Sequence, residues 1–222
     1  MTMQSSVKRV ILLAALTIGV CVAPVFAQKY EINPYAGGVW MSDFNSSLTF
    51  NNPAIFGVRG GAYVTDNVMI EGNAGWMNQF NFSGYPSYHT SVVLWEAAGS
   101  YNFHTSGFKG VVPFGILGVG GLTINSENKI NLNSPTRSVY VFPLATPQQT
   151  GSPFPNTLGT LVLRNNSTFF NFSYGGGFKG ERLWGPIGVR VDVRGRTIPN
   201  FFSKAITSFE ATGGMLVSWG ER

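Results

Sequence analysis

Residues 187–194 read Ile-Gly-Val-Arg-Val-Asp-Val-Arg. Ile187, Val189, Val191 and Val193 point one way along an extended chain; Gly188, Arg190, Asp192 and Arg194 point the other. A period of two is the mark of a β-strand whose faces meet different environments. The same design returns elsewhere. In 68–77, Val68, Ile70, Gly72, Ala74 and Trp76 oppose Met69, Glu71, Asn73, Gly75 and Met77. In 93–103, Val93, Trp95, Ala97, Gly99, Tyr101 and Phe103 oppose Leu94, Glu96, Ala98, Ser100 and Asn102. In 209–219, Phe209, Ala211, Gly213, Met215, Val217 and Trp219 oppose Glu210, Thr212, Gly214, Leu216 and Ser218. Segments 169–179 and 55–64 follow the rule, with Lys179 and Arg59 on their polar faces. Segments 30–40 and 111–124 are strand-like but interrupted by glycine, and their facing is not set by pattern.

Eight such segments, each close to the roughly 9–11 residues that cross a bilayer when tilted, predict an all-β fold. The expectation is an eight-stranded antiparallel transmembrane β-barrel with its apolar faces outward. Composition agrees. Of 222 residues only 11% are charged, 14% are aromatic and 28 are glycine; a soluble domain carries roughly 25% charged residues. A soluble barrel or sandwich would pack the apolar face inward and show water more charge than this. Aromatic residues gather at segment ends (Trp40, Trp76, Phe80, Tyr101, Phe103, Trp184 and Trp219), where amphipathic rings favour a membrane–water boundary. The excess of 15 basic over 10 acidic residues includes no Lys/Arg cluster that would serve nucleic acid, so no nucleic-acid partner is expected.

Residues 1–27 read as a cleaved signal peptide: Lys8 and Arg9, an apolar run from Val10 to Val22, then Val25-Phe26-Ala27 before a cleavage site at Gln28. The alternatives are an uncleaved anchor, for which the run is short, and a lipoprotein at Cys21, where Val20 replaces the small residue a lipobox wants. Cleavage leaves 28–222 as the barrel domain and removes the only cysteine.

The connections divide by length. Asp66-Asn67, His104 to Lys109 and Glu181 to Gly185 are short. The alternate ones are longer: 41–53, 80–90, about 125–166 and a shorter 198–206. Short turns on one side and long loops on the other is the outer-membrane arrangement, with the turns in the periplasm. The chain resembles the small eight-stranded outer-membrane β-barrel family of Gram-negative-type bacteria, relatives of the OmpA barrel, OmpX and OmpW. The resemblance rests on Tyr35-Ala-Gly-Gly-Val-Trp40, Phe56-Gly-Val-Arg-Gly-Gly61 and Phe114-Gly-Ile-Leu-Gly-Val-Gly-Gly121. It implies outer-membrane lipids and the barrel-assembly machinery as partners, with Thr212, Gly214, Val217 and Trp219 as the assembly signal. It departs in ending on Gly220-Glu221-Arg222 rather than on the aromatic residue.

On this facing the lumen receives Arg59, Lys179, Arg190, Arg194 and Arg196 with Glu71, Glu96, Asp192 and Glu210. The interior of an eight-stranded barrel is just wide enough for side chains, so these charges are expected to pair as a structural network. A narrow channel for small solutes is the alternative. The connection 125–166, with apolar Ser138-Val-Tyr-Val-Phe-Pro-Leu144 and Leu158-Gly-Thr-Leu-Val-Leu163, is a candidate surface for an extracellular ligand or protein. No cofactor, metal or catalytic residue is expected. Gly175-Gly-Gly-Phe-Lys-Gly180 fits G-x-G-x-x-G but lies in a strand and opens no helix. His89-Thr90-Ser91 resembles the His-x-Ser of lipid A deacylases, but Val92 follows and Glu96 points to the opposite face, so lipid modification is a distant alternative. The function expected is non-enzymatic, structural or surface-interacting.

Overall fold

The computed structural model describes residues 29–42, 51–78, 90–104, 110–126, 139–143, 160–164, 167–201 and 204–220. Ten strands follow in chain order: β1 Lys29–Met41, β2 Ala54–Tyr63, β3 Val68–Asn78, β4 Thr90–Asn102, β5 Val111–Ser126, β6 Val139–Pro143, β7 Thr160–Arg164, β8 Ser167–Trp184, β9 Ile187–Phe201 and β10 Lys204–Gly220. Eight of them close into an antiparallel barrel in the order β1-β10-β9-β8-β5-β4-β3-β2. The remaining two, β6 and β7, pair only with each other, Val141 opposite Val162. They lie within the long connection, whose first two residues, 125 and 126, belong to β5.

Outward alternation is direct: Val189, Val191 and Val193 are exposed while Arg190, Asp192 and Arg194 are buried. A closed sheet has no edge to protect, so backbone groups pair from strand to strand around the wall, as a bilayer demands. No charged side chain stands among the exposed residues of the wall that are described between the turns; the exposed large residues there are apolar or aromatic, Phe56, Ile70, Leu117, Phe170, Phe172 and Phe178 among them. Trp40 and Trp76 are exposed at the long-connection end, and Tyr101, Phe103, Trp184 and Trp219 at the opposite end. Phe80 lies outside the described residues.

The short connections are tighter than the pattern suggested. β8 runs through 181–184, so the β8–β9 turn is only Gly185-Pro186, with Gly185 at a positive φ of 65°, a conformation glycine adopts without penalty. At the other end the 198–206 loop dissolves into strand. β9 continues to Phe201 and β10 begins at Lys204, and Ile198, Phe201 and Ile206 are buried together in the apolar layer although strict alternation breaks at the exposed pair Pro199-Asn200.

The interior is not lined by small and charged residues alone. At the long-connection end an apolar layer crosses it: Val39, Ile55, Met77, Val92, Leu94, Leu122, Ile124, Ile198, Phe201 and Ile206, with Tyr35. β5 supplies Leu122 and Ile124 to this layer, and its inner face carries Phe114 and Ile116 lower down beside Ala98. Both faces of β5 are therefore apolar, which is why periodicity left its facing open.

Candidate functional site: the lumen

The charged lumen starts where the apolar layer ends. Near the short-turn end, Lys179 on β8 donates to Glu31 on β1 at 2.8 Å and to Tyr63 Oη at 3.3 Å. Tyr63 Oη donates in turn to Glu31 at 2.7 Å. Lys29 lies 2.9 Å from Glu181 and 3.3 Å from Glu31. Deeper in, Arg194 reaches three acids: Glu96 at 2.7 Å, Glu71 at 2.8 Å and Asp192 at 3.0 Å. Arg190 pairs with Glu71 and with Asp192. Arg59 pairs with Asp192 and, at 3.0 Å, with Glu210, and its guanidinium stacks 3.7 Å above the Tyr35 ring. Arg196 joins Glu96 to Glu210.

Two ion-pair clusters thus hold all nine charged residues expected in the lumen from sequence, eight of them around Arg194 and the ninth, Lys179, in the group near the short-turn end. That second group also holds three residues the sequence pattern does not declare: Lys29, Glu31 and Glu181. With them the count among described residues is six cations (Lys29, Arg59, Lys179, Arg190, Arg194, Arg196) against six carboxylates (Glu31, Glu71, Glu96, Glu181, Asp192, Glu210). The balance matters because a buried charge without a partner is expensive, whereas a paired, hydrogen-bonded one is tolerated. The Lys-x-Glu start of β1, Lys29-Tyr-Glu31, carries the same alternation as 190–194 and was the available signal.

Why the arginines can reach is written in the wall. Arg194 and Arg196 stand on β9 and meet Glu96 on β4, two strands further round than β8. The wall between presents Gly118 and Gly120 of β5 and Ser173 of β8, leaving room for long side chains to lie across it. Glycines in β8 have a second cause. A Cβ on Gly175 or Gly177 would press into the carbonyl oxygens of Val193 and Val191 on β9. The G-x-G-x-x-G match is therefore a strand-packing feature. Gly177→Ala should cost about 1–3 kcal/mol, the usual range for forcing atoms into a packed site. Gly60→Ala and Gly213→Ala, whose Cβ atoms would meet nothing within 4 Å, should change stability by less than about 0.5 kcal/mol. Urea titrations of the three refolded variants check the contrast.

The other sequence-derived candidates fall as follows. Thr212 is buried and accepts from Arg59 at 2.9 Å. Gly214 faces inward, and Trp219 is exposed and stacked on Tyr30 with centroids 5.9 Å apart. Val217 lies opposite Ile32 on the outer face. His104 sits at the short-turn rim, its Nδ1 2.8 Å from Asn67 Oδ1. His89 lies outside the described residues. Glu96 is buried between Arg194 and Arg196 on the lumen side of β4.

The outer membrane protein beta-barrel domain family model matches residues 12–208. Among solved structures, the fold is similar to that of Neisserial surface protein A (NspA), with a TM-score of 0.57 and 12% identity over 85% of this chain and 96% of that one. It is also similar to the outer membrane protein OprG from Pseudomonas aeruginosa, with a TM-score of 0.54 and 11% identity over 88% of this chain and 97% of that one. At these identities the likeness is one of fold. No curated relative matches the chain by sequence.

Proposed function

Since the chain belongs to the outer membrane protein β-barrel family and is a protein of the bacterial outer membrane, we propose that it serves as a closed anchor that holds its long connections at the cell surface. In this reading the barrel is not a pore, and the connection containing β6 and β7 is the part that meets other molecules. The observation that carries it is the filled lumen. Twelve charged groups paired across the barrel, topped by a layer of eleven buried hydrophobic residues, leave side chains where a channel needs water. Ion pairs that bridge β9 to β4 and β1 to β8 also brace the wall against widening.

Planar-bilayer recording of the purified protein tests this. The expected record is silent at moderate voltage; steady unitary steps of constant size would replace the anchor with the narrow-channel reading. The surface role has its own check. Protease added to intact cells should cut within 125–166 and leave the barrel in the membrane. Full protection of that connection would remove it as an interaction surface.

A further inference from the structure

The ladder that closes the barrel is interrupted. β1 and β10 pair from Lys29 opposite Gly220 to Met41 opposite Ser208, but the ladder stops after Ile32 opposite Val217 and resumes at Tyr35 opposite Gly214. Pro34 stands in the gap. It has no N–H to give, and a closed barrel offers it no edge where that would be harmless. The Met215 carbonyl across the seam is instead met by a side chain: Asn33 Nδ2 donates to it at 2.8 Å. Asn33 is 1% exposed, so water does not take over this bond from outside.

The other end of the same amide is also engaged. Asn33 Oδ1 accepts from Arg59 Nη1 at 3.3 Å. Arg59 is itself fixed by Asp192, Glu210 and Thr212 and by the Tyr35 ring. A guanidinium only donates, so it meets the oxygen of the amide and turns the NH2 group toward the seam.

We propose that Asn33 is a latch coupling the lumen ion pairs to barrel closure. Arg59 sets the orientation of the amide, and the amide supplies the seam bond that Pro34 withholds. The β1–β10 seam is then the one ladder whose closure depends on the charge network, and disturbing Arg59 or Asn33 loosens it locally while the rest of the wall stays paired.

Residue-resolved hydrogen exchange of protein extracted from outer membranes into micelles tests the latch. The seam amides of Ala36, Gly213 and Met215 are read against Ala97 and Val119 in the β4–β5 ladder. Asn33→Leu is neutral and of similar size, so the lumen charge balance is kept, but it has no donor. It should speed seam exchange roughly fivefold to tenfold, the factor for one lost hydrogen bond, and leave β4–β5 unchanged. Arg59→Gln should loosen the same amides. Pro34→Ala restores a backbone N–H for the Met215 carbonyl and should return the Asn33→Leu protein to near the native rate. Native protection of the seam in Asn33→Leu, or a rise spread evenly over both ladders, overturns the proposal. Should Asn33→Leu not assemble, Arg59→Gln decides, because native seam protection in that variant contradicts the coupling.

Discussion

Replacing Arg194 with alanine is expected to cost the refolded protein about 3–5 kcal/mol, the range for breaking a buried charge pair by removing one partner. Arg194 is fully buried and touches Glu71, Glu96 and Asp192 at once. Each of these acids keeps another cation: Glu71 keeps Arg190, Glu96 keeps Arg196, and Asp192 keeps Arg59 and Arg190. What is lost is the balance, since six carboxylates are left with five cations in a site closed to water. Removing one negative charge as well should therefore recover much of the loss. Glu96→Gln added to Arg194→Ala is expected to show a favourable coupling of about 0.5–3 kcal/mol in a double-mutant cycle. Simple loss of packing volume would give additive costs instead. Urea unfolding monitored by the gel shift between unheated and boiled protein provides the measurement.

Val191→Arg tests the other face and should cost about 2–4 kcal/mol, the penalty for a cation at the bilayer midplane on the lipid side of a barrel. Val191 sits mid-strand in β9 with its side chain exposed, opposite Gly213 on one side and Phe178 on the other. Val191→Thr at the same position should be far milder, because it removes no charge balance and adds only a hydroxyl. The two arginine experiments oppose each other usefully. Three residues apart in the chain, taking an arginine away from the lumen and adding one to the outer wall are both harmful. Water on the outer wall would make Val191→Arg nearly silent, since surface substitutions usually stay within about 0.5 kcal/mol.

Much of this architecture is legible in the residues, and what is not has identifiable causes. Where one face is charged and the other aliphatic, as in β3, β9 and β10, alternation fixes facing without knowledge of neighbours. Arg190, Asp192 and Arg194 could be sent to the lumen for that reason. β1 is harder: Pro34 and the Ala36-Gly37-Gly38 run blur its period, so the facing of Lys29 and Glu31 does not show in the pattern. Glu181 read as a turn residue because Gly180 and Gly185 bracket it, whereas β8 continues through it past an irregularity between Gly180 and Trp184. The apolar layer is hidden in part by β5, where Val119 and Leu122 are both aliphatic but only Leu122 faces inward. Pairing partners were beyond reach altogether. Whether Arg194 meets Glu71 or Glu210 depends on the stagger of strands around the barrel, and the stagger is set by turn lengths and by glycines that admit close backbone approach. The Asn33–Met215 bond has the same origin. Pro34 announces a missing donor, but only the closed ladder shows which carbonyl goes without.

The central claim is that one face of each strand meets lipid while the other fills a closed interior. Cys21 is the only cysteine, so single cysteines can be introduced along β10 in a Cys21→Ser background, spin-labelled and read in lipid vesicles. Positions 209, 211, 213 and 215 should be relaxed strongly by oxygen, which concentrates in the bilayer. Positions 208, 212 and 216 should respond weakly both to oxygen and to a water-soluble paramagnetic complex. The account predicts this period-two contrast with a silent inner set. Strong relaxation of the inner set by the aqueous complex would reveal a water-filled pore, and oxygen relaxation strongest on the inner set would mean the faces are reversed; either result contradicts it.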